Sequence, residues 1–189
     1  ASMTKRKTAS SRFAGEDLVH WAWTEPSVWT PTMLATLEEN KVRGGKWHSL
    51  IDKVYRPANL DSAYREVAAN RGAAGVDHVT IEDFAANLTR NIDKLEQQLR
   101  SGDYHPQAIR RVNIPKPGTN ETRPLGIPTV RDRVVQAALR HVLEPILERH
   151  FTEHSYGFRP NRGCKDALRR VDAKIKQGYK YTVDVDLKS

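Results

Sequence analysis

The chain has 189 residues, 38% of them hydrophobic, which is enough to bury the core of one domain or of one domain with a small appendage. This composition excludes a wholly disordered tail. The formal net charge of +8 is concentrated in residues 101–189, where 17 Lys and Arg face 10 Asp and Glu, a net +7. A basic half of this kind favours a polyanionic partner, most simply nucleic acid, whereas a merely solvated basic surface is the plainer alternative.

A single cysteine, Cys164, excludes an internal disulfide and a cysteine-rich zinc cluster. It favours an intracellular, reducing compartment such as the cytoplasm. No apolar run approaches the roughly 20 residues that a bilayer span requires, so no membrane partner is expected. The first residues, ASMTKRKTASSRF, lack the apolar centre of a secretory signal.

Residues 1–50 are predicted to form a partly flexible N-terminal extension. Its tryptophans Trp21, Trp23 and Trp29 have two interpretations. They pack on the body of the protein, which is the favoured reading, or they form a separate element that stacks on RNA bases.

Two helices are predicted between residues 51 and 102. Asn59 is followed by apolar residues at helical spacing, which predicts that it caps a helix ending before the turn NRGAAGVD. Thr80, with Asp83 three residues later, has the pattern of a capping box. The apolar stripe after it predicts one helix that continues to Gly102.

A β-hairpin with a basic tip is predicted next, in AIRRVNIPKPGTNETRPLGIPT, where two extended runs enclose the breaker-rich PKPGTNET. A long helix then begins at Thr129, with Asp132 in the reciprocal capping position. Two adjoining apolar rows run along this helix. Pro145 is expected to kink it near His141.

A helix and a strand are the last predicted elements. Cys164, Leu168, Val171 and Ile175 recur at helical spacing, and Gly178 is placed to end that helix. The final segment YTVDVDLKS alternates as a strand does, with both aspartates on one face. The order helix, helix, hairpin, helix, helix, strand predicts a mixed α/β (α+β) fold without a Walker or Rossmann phosphate loop.

Basic residues of the hairpin are candidates for binding a polyanion. Lys116 and Arg123 flank the turn, where they could grip a triphosphate or a nucleic-acid backbone. Arg110 and Arg111 precede the turn, and as neighbours on a strand they face opposite sides. An ordinary solvated hairpin tip is the alternative.

The loop YGFRPNRG is the second candidate. It combines Tyr156 and Phe158 with Arg159 and Arg162, a composition suited to stacking on bases and binding phosphates. The two aromatic rings could equally fix the following helix onto the sheet.

Asp184 and Asp186 are candidate ligands for Mg²⁺, which prefers hard oxygen donors. Paired surface aspartates on an edge strand are the alternative. A magnesium pair usually takes carboxylates from more than one segment, and the sequence holds no second acidic cluster.

Four segments, in this order and spacing, resemble the front half of a group II intron reverse transcriptase. They are NRGAAGVDHVT, RRVNIPKPGTNETRPLGIPTVRDRVVQAAL, HSYGFRPNRGCKDAL and YTVDVDLKS. The resemblance covers roughly residues 55–189. It implies the fingers and the beginning of the palm of a right-hand polymerase, with helices packed around a basic β-hairpin.

The resemblance also implies a division of the chain. The implied parts are an N-terminal extension at residues 1–50, a helical part of the fingers at 51–102 with a template-lid insertion at about 70–84, the remaining fingers at 103–178, and a truncated first palm strand at 179–189.

Roles at the chemical centre follow from the same resemblance. Asp186 would be the first catalytic aspartate and a metal ligand, and the main-chain carbonyl of Leu187 would complete that ligand set. Asp184 matches an acidic position that is not a metal ligand.

The resemblance further implies contacts to nucleotide and template. Lys116 and Arg123 would contact the incoming deoxynucleotide triphosphate, with the backbone of Lys188 and Ser189 beneath it. Arg110 would touch the template strand. Tyr156, Phe158 and Arg159 would help to seat the template, and Arg111 and Arg162 are further candidates for RNA contact.

A complete enzyme of this kind would use two Mg²⁺ ions and would bind an RNA template, an RNA–DNA duplex and a dNTP. The family's other catalytic aspartates lie in a Tyr-Ala-Asp-Asp turn that this sequence does not contain. The chain alone is therefore predicted to be an inactive fragment that binds no metal pair.

Two alternatives stay open. The region could act chiefly as a maturase module that binds intron RNA and aids splicing, or it could belong to a retron, a diversity-generating element or a CRISPR-linked reverse transcriptase. A homodimer, formed through an exposed apolar surface or an unpaired strand edge, is a further candidate partner.

Overall fold

A computed structural model describes residues 21–38 and 49–187. The elements within these ranges are α1 (Pro31–Glu38), α2 (Leu50–Val54), α3 (Pro57–Ala69), α4 (Ile81–Ala86), α5 (Leu88–Ser101), β1 (Arg110–Pro115), β2 (Thr122–Ile127), α6 (Val130–Glu148) and α7 (Cys164–Lys176). Helices together with one antiparallel hairpin confirm the predicted mixed α/β (α+β) class. No helix of the described ranges is long and apolar enough to cross a membrane.

The chain divides into two compact units, Ala1–Ile146 and Leu147–Ser189. The core of the first unit is built from α3, α5 and α6 together with the segment around α1. Leu60, Leu95 and Val142 are at most 1% exposed there. Full burial of a side chain of this size contributes about 1.5–3 kcal/mol. The division predicted from the sequence, at residues 50, 102 and 178, stays a prediction.

The start of α3 differs from the sequence prediction. Pro57 occupies the first turn, where its missing N–H and fixed φ are tolerated, so the helix begins before Asn59. Asn59 is fully buried, and its amide nitrogen donates to the carbonyls of Lys53, Val54 and Ala138, at 3.0, 3.3 and 3.1 Å. The prediction that Asn59 caps the helix is therefore wrong, because its side chain ties α3 to α6 instead.

The predicted capping box at Thr80 is confirmed. The Thr80 hydroxyl accepts from Asp83 N at 3.1 Å, and the Asp83 carboxylate accepts from Thr80 N at 3.0 Å. The single helix predicted after it is wrong. The backbone leaves helical angles at Asn87 (φ −129°, ψ 37°), and Asn91 Nδ2 donates to the Phe84 carbonyl at 2.9 Å at this break. The second helix, α5, ends as predicted at Gly102, whose φ of +82° suits glycine.

Half of the predicted capping interaction exists at the start of α6. Thr129 Oγ1 accepts from Asp132 N at 3.2 Å. The buried Asp132 carboxylate accepts instead from the Tyr104 hydroxyl at 2.6 Å and from Gln107 N at 3.0 Å. Burial of the Tyr104 phenol and its bond to Asp132 raise the pKa of Tyr104 well above its usual value. Asp132 therefore fixes the chain that leads into the hairpin.

Pro145 lies inside α6, which continues to Glu148. Proline has no N–H, so the carbonyl four residues earlier, on His141, loses its helical donor. Trp29 Nε1 donates to that carbonyl at 2.9 Å, and the Trp29 side chain is buried. Trp21 and Trp29 belong to the core, and Trp23 packs against it. The interpretation that the tryptophans pack on the body is confirmed, while residues 1–20 lie outside the described ranges.

The second unit contains α7 and an extended end. Gly178 ends the helix with φ of +93°, as predicted. The apolar stripe of this helix faces solvent, because Leu168, Val171 and Ile175 are 66%, 54% and 63% exposed. Residues 179–187 form no β-ladder, because no strand of the described ranges pairs with them. The assignment of this segment to a palm strand stays a prediction.

Candidate nucleic-acid interface

The β1–β2 hairpin sorts its arginines onto two faces. Arg110 pairs with Ile127, Arg111 with Gly126, and Ile114 with Arg123. Cross-strand partners lie on the same face, and successive residues alternate. Arg110 and Arg123 therefore share one face of the hairpin, and Arg111 lies on the other. This agrees with the prediction that Arg110 and Arg111 face opposite sides.

The hairpin tip carries two exposed cations. Lys116 N donates to the Glu121 carbonyl at 2.9 Å, and Lys116 Nζ lies 2.6 Å from Glu121 Oε2. Both side chains are solvent-accessible, so this ion pair is worth at most about 1 kcal/mol and is readily exchanged for another anion. The Arg123 side chain is exposed and makes no hydrogen bond or ion pair with any residue that the structure describes. Two cations are thus available to a phosphate group here.

Arg110 has a partner inside the protein. Its Nη1 donates to the Ala74 carbonyl at 3.2 Å, in the loop at residues 70–79, which we call the lid loop. Arg133, which sequence reasoning did not single out, donates from Nη2 to the neighbouring Ala73 carbonyl at 2.7 Å. Nothing in the local sequence pattern could have revealed Arg133, because its partner lies far along the chain.

Arg159 is a structural anchor of its loop in the second unit. Its Nε and Nη2 donate to the Glu148 carboxylate, Nη2 also to the Glu148 carbonyl, and Nη1 to the carbonyls of Thr152 and Ser155. The guanidinium also lies 5.3 Å from the centre of the Phe151 ring. The side chain is only 6% exposed and all five N–H groups are used. This geometry leaves Arg159 no donor for a template phosphate.

The residues beside this anchor differ in exposure. Phe158 is fully exposed and has a left-handed φ of +56°, a conformation uncommon for a bulky residue. Tyr156 is half-buried, and Arg162 donates from Nη1 to the Glu153 carbonyl. The alternative in which both rings plug into the fold therefore does not hold for Phe158, which presents its ring faces to solvent.

The predicted metal ligands lie in the extended end. Asp184 and Asp186 are exposed, and Leu187 N donates to Asp186 Oδ1 at 2.8 Å. Lys188 and Ser189 lie outside the described residues. The Asp186 carboxylate and the Leu187 carbonyl are hard oxygen donors of the kind Mg²⁺ takes, but they come from one short segment. No cluster of three His, Cys, Asp or Glu side chains suited to a metal occurs among residues 21–38 and 49–187.

Comparison with known proteins connects these features to a family. Residues 114–189 match the family described as reverse transcriptase (RNA-dependent DNA polymerase). The group II intron-encoded protein LtrA of Lactococcus lactis subsp. cremoris is 38% identical over 135 residues, which is 70% of this chain and 22% of LtrA. Protein YkfC of Escherichia coli is 36% identical over 160 residues, 84% of this chain and 37% of YkfC.

A plant protein is a third relative. Nuclear intron maturase 4, mitochondrial, of Arabidopsis thaliana is 29% identical over 134 residues, 70% of this chain and 16% of that protein. Residues 114–189 therefore match the reverse transcriptase family, and the chain is similar to a group II intron-encoded protein and to an intron maturase. It spans between 16% and 37% of the length of these three relatives. These relatives favour the intron type over the retron and CRISPR-linked alternatives.

Proposed function

We propose that this chain forms the fingers and the beginning of the palm of a group II intron reverse transcriptase, an RNA-directed DNA polymerase. In this role it binds an RNA template, the RNA–DNA duplex and a dNTP. The observation that carries the proposal is the β1–β2 hairpin. Its two exposed cations, Lys116 and Arg123, lie inside the segment that matches the family.

In the proposed reaction the 3′-hydroxyl of a primer attacks the α-phosphate of the dNTP, the bond to the β-phosphate breaks, and pyrophosphate leaves. Mg²⁺, when bound, would stabilise the attacking and leaving oxygens. The Asp186 carboxylate and the Leu187 carbonyl would hold it, with further ligands from outside this chain. The basic side chains of this chain would contribute positive charge and would orient the template and the dNTP.

Lys116 and Arg123 neutralise the triphosphate in this proposal. A guanidinium can bind two phosphate oxygens in parallel, whereas an ammonium acts as a point charge. Lys116 gives up only a weak exposed pair with Glu121 when it binds. The backbone of Lys188 and Ser189 would lie beneath the same triphosphate.

Template contacts fall to the exposed groups of both units. Phe158 offers both ring faces for base stacking, which is worth about 1–3 kcal/mol per base. Tyr156 and Arg162 flank it, and Arg111 faces solvent on its side of the hairpin. Because all its N–H groups are used, we assign Arg159 the task of holding the loop that presents Phe158.

The test is primer extension by a protein that carries this chain at the length of its relatives. Lys116→Gln and Arg123→Gln should raise the KM for dNTP and lower the rate, because each removes a positive charge from the triphosphate. Lys94→Gln, at an exposed position on α5, is the matched control and should leave both constants unchanged. Unchanged dNTP kinetics in both hairpin variants would remove the basis of the proposal.

A maturase role is the second candidate, favoured by the maturase relative and by the basic half of the chain. Here the chain binds structured intron RNA and assists splicing. Its affinity for that RNA should fall steeply between about 50 and 200 mM salt, as counterion release requires. Equal and salt-insensitive affinity for a neutral polymer would contradict this role.

A homodimer and a cytoplasmic location complete the proposal. The exposed stripe of α7, Leu168, Val171 and Ile175, is the surface on which a second copy could pack. Sedimentation analysis of the purified chain tests the dimer. Leu168→Ser and Val171→Ser should shift any dimer toward the monomer.

A further inference from the structure

We propose that Arg110 and Arg133 form a clamp that holds the lid loop by two adjacent carbonyls. They affect template binding through the position of this loop, not by touching nucleic acid. The inference rests on the proposed function for its nucleic-acid partner, but the clamp itself can be tested on the free chain. It changes the role of Arg110 from the template contact that the resemblance implies to that of a positioning residue.

Two elements reach the loop at consecutive residues. Arg110, the first residue of β1, donates to the Ala74 carbonyl, and Arg133, in the first turns of α6, donates to the Ala73 carbonyl. Hydrogen bonds from a charged donor are about twice as strong as neutral ones. The base of the hairpin and the start of α6 are therefore joined to the same point of the lid loop.

The backbone of the lid loop also packs closely against the start of α6. A Cβ on Gly75 would lie 2.6 Å from Thr129 Cα and 2.7 Å from Thr129 N, closer than real Cβ contacts. A Cβ on Gly72 would lie 2.3 Å from Arg133 Nη1. Gly75 is thus required by the close approach of the Thr129 backbone, whereas at Gly72 only the end of the flexible Arg133 side chain would have to shift. The lid loop is fitted against the fold and is not a free surface segment.

The position of Arg133 is energetically costly, which supports a dedicated role. Burial lowers the pKa of its guanidinium, and the nearby Asp77 carboxylate partly offsets this shift. Its Nε is buried without a hydrogen-bond partner among the described residues. An unsatisfied buried donor in a native structure needs an explanation, and we assign it to the bond that Arg133 Nη2 makes with the Ala73 carbonyl.

Several residues of the lid loop are open to solvent. Val76, Asp77 and His78 are exposed, and so is Arg71 at the loop's start. Arg71 and His78 have left-handed φ values of +46° and +59°, which the anchored carbonyls between them help to maintain. A strand of nucleic acid would meet these exposed residues in the geometry that the clamp imposes.

The first experiment measures amide hydrogen exchange in the free chain. Arg110→Gln and Arg133→Gln should each speed exchange in residues 72–79, by about tenfold, because a bond from a charged donor is lost. The His78 amide, which donates to the Gly75 carbonyl at 3.3 Å, is the most direct reporter. Arg111→Gln, on the other face of the same strand, should leave this exchange unchanged.

The second experiment measures binding of a fluorescent RNA–DNA duplex with an RNA overhang, as a function of salt. A residue that contacts a phosphate lowers the slope of log K against log salt by about one when it is removed. Arg110→Gln and Arg133→Gln should weaken binding with the slope unchanged. Arg111→Gln should show the opposite signature, a smaller slope with normal exchange in the lid loop.

The outcomes separate the inference from the function on which it rests. Unchanged exchange in Arg110→Gln, or a slope lowered by about one, would overturn the clamp in favour of direct phosphate contact. If the unaltered chain bound no duplex, the proposed function would fail while faster exchange still supported the clamp. Arg133→Lys keeps the positive charge but lacks the planar guanidinium. It should also speed exchange in the lid loop, and it tests the clamp if Arg133→Gln does not fold.

Discussion

At the scale of single residues, the indole of Trp29 replaces a backbone hydrogen bond that Pro145 removes from α6. The carbonyl of His141 cannot find its helical donor at Pro145, and Trp29 Nε1 supplies one at 2.9 Å. A buried carbonyl left without a donor costs about 1–3 kcal/mol. The segment before α1 and the middle of α6 are therefore coupled through one hydrogen bond.

The coupling predicts a non-additive pair of substitutions. Trp29→Phe should lower the free energy of unfolding by about 1–3 kcal/mol, because the His141 carbonyl loses its donor. In a Pro145→Ala background, where residue 145 regains an N–H, the same substitution should cost less. Denaturant unfolding of the four proteins of this double-mutant cycle measures the difference. Equal costs in both backgrounds would show that only the lost ring volume matters.

Arg159 makes a second prediction at this scale. Removing one partner of a buried ion pair costs about 3–5 kcal/mol in typical proteins, and here it also removes a donor from the carbonyls of Glu148, Thr152 and Ser155. Arg159→Gln should therefore release the loop at residues 151–163, seen as faster trypsin cleavage within it. Arg169→Gln breaks an exposed pair with Asp166 and is the control expected to change cleavage little. Slow cleavage in both variants would contradict the anchor.

At the scale of elements, helix caps and ends that depend on neighbouring residues were predicted from the sequence. Features that depend on contacts made in the folded structure were not. The Thr80 capping box and the stop at Gly102 depend on residues three positions apart or on one backbone angle, so the sequence reveals them. The break at Asn87 and the inward amide of Asn59 depend on partners that the fold supplies. The same distinction applies to the site, where exposed Lys116 was visible in the sequence and Arg133 was not.

The capping box at α4 predicts an acid-sensitive step. Hydrogen bonds from the Thr80 N–H and hydroxyl hold the pKa of Asp83 below its ordinary value of 3.8. A carboxylate with a lowered folded pKa contributes stability above its unfolded pKa, and this contribution is lost as the pH falls through the folded pKa. Unfolding measured from neutral pH to below 3.8 should show a smaller acid-induced loss in Asp83→Asn than in the unaltered chain. An identical loss of stability with falling pH in both proteins would contradict this role of Asp83.

At the scale of the whole molecule, the site's groups belong to two compact units. The first unit carries the hairpin cations and the clamped lid loop, with a core that reaches from Trp21 to Ile146. The second unit carries Phe158 and Asp186, with an exposed apolar stripe and an unpaired extended end. Lys116 and Arg123, the proposed nucleotide contacts, thus belong to the first unit, and Asp186, the proposed metal ligand, belongs to the second.

Asp184 and Asp186 give the prediction that tests the chemical centre. They are two residues apart in one extended segment, exposed alike, and Asp186 Oδ1 differs in accepting from Leu187 N. In a protein that carries this chain at the length of its relatives, Asp186→Asn should abolish primer extension. The substitution keeps the side-chain size but removes the charge that a divalent ion requires. Asp184→Asn, of the same size and charge change, should retain extension, and the reverse result would transfer the ligand role to Asp184.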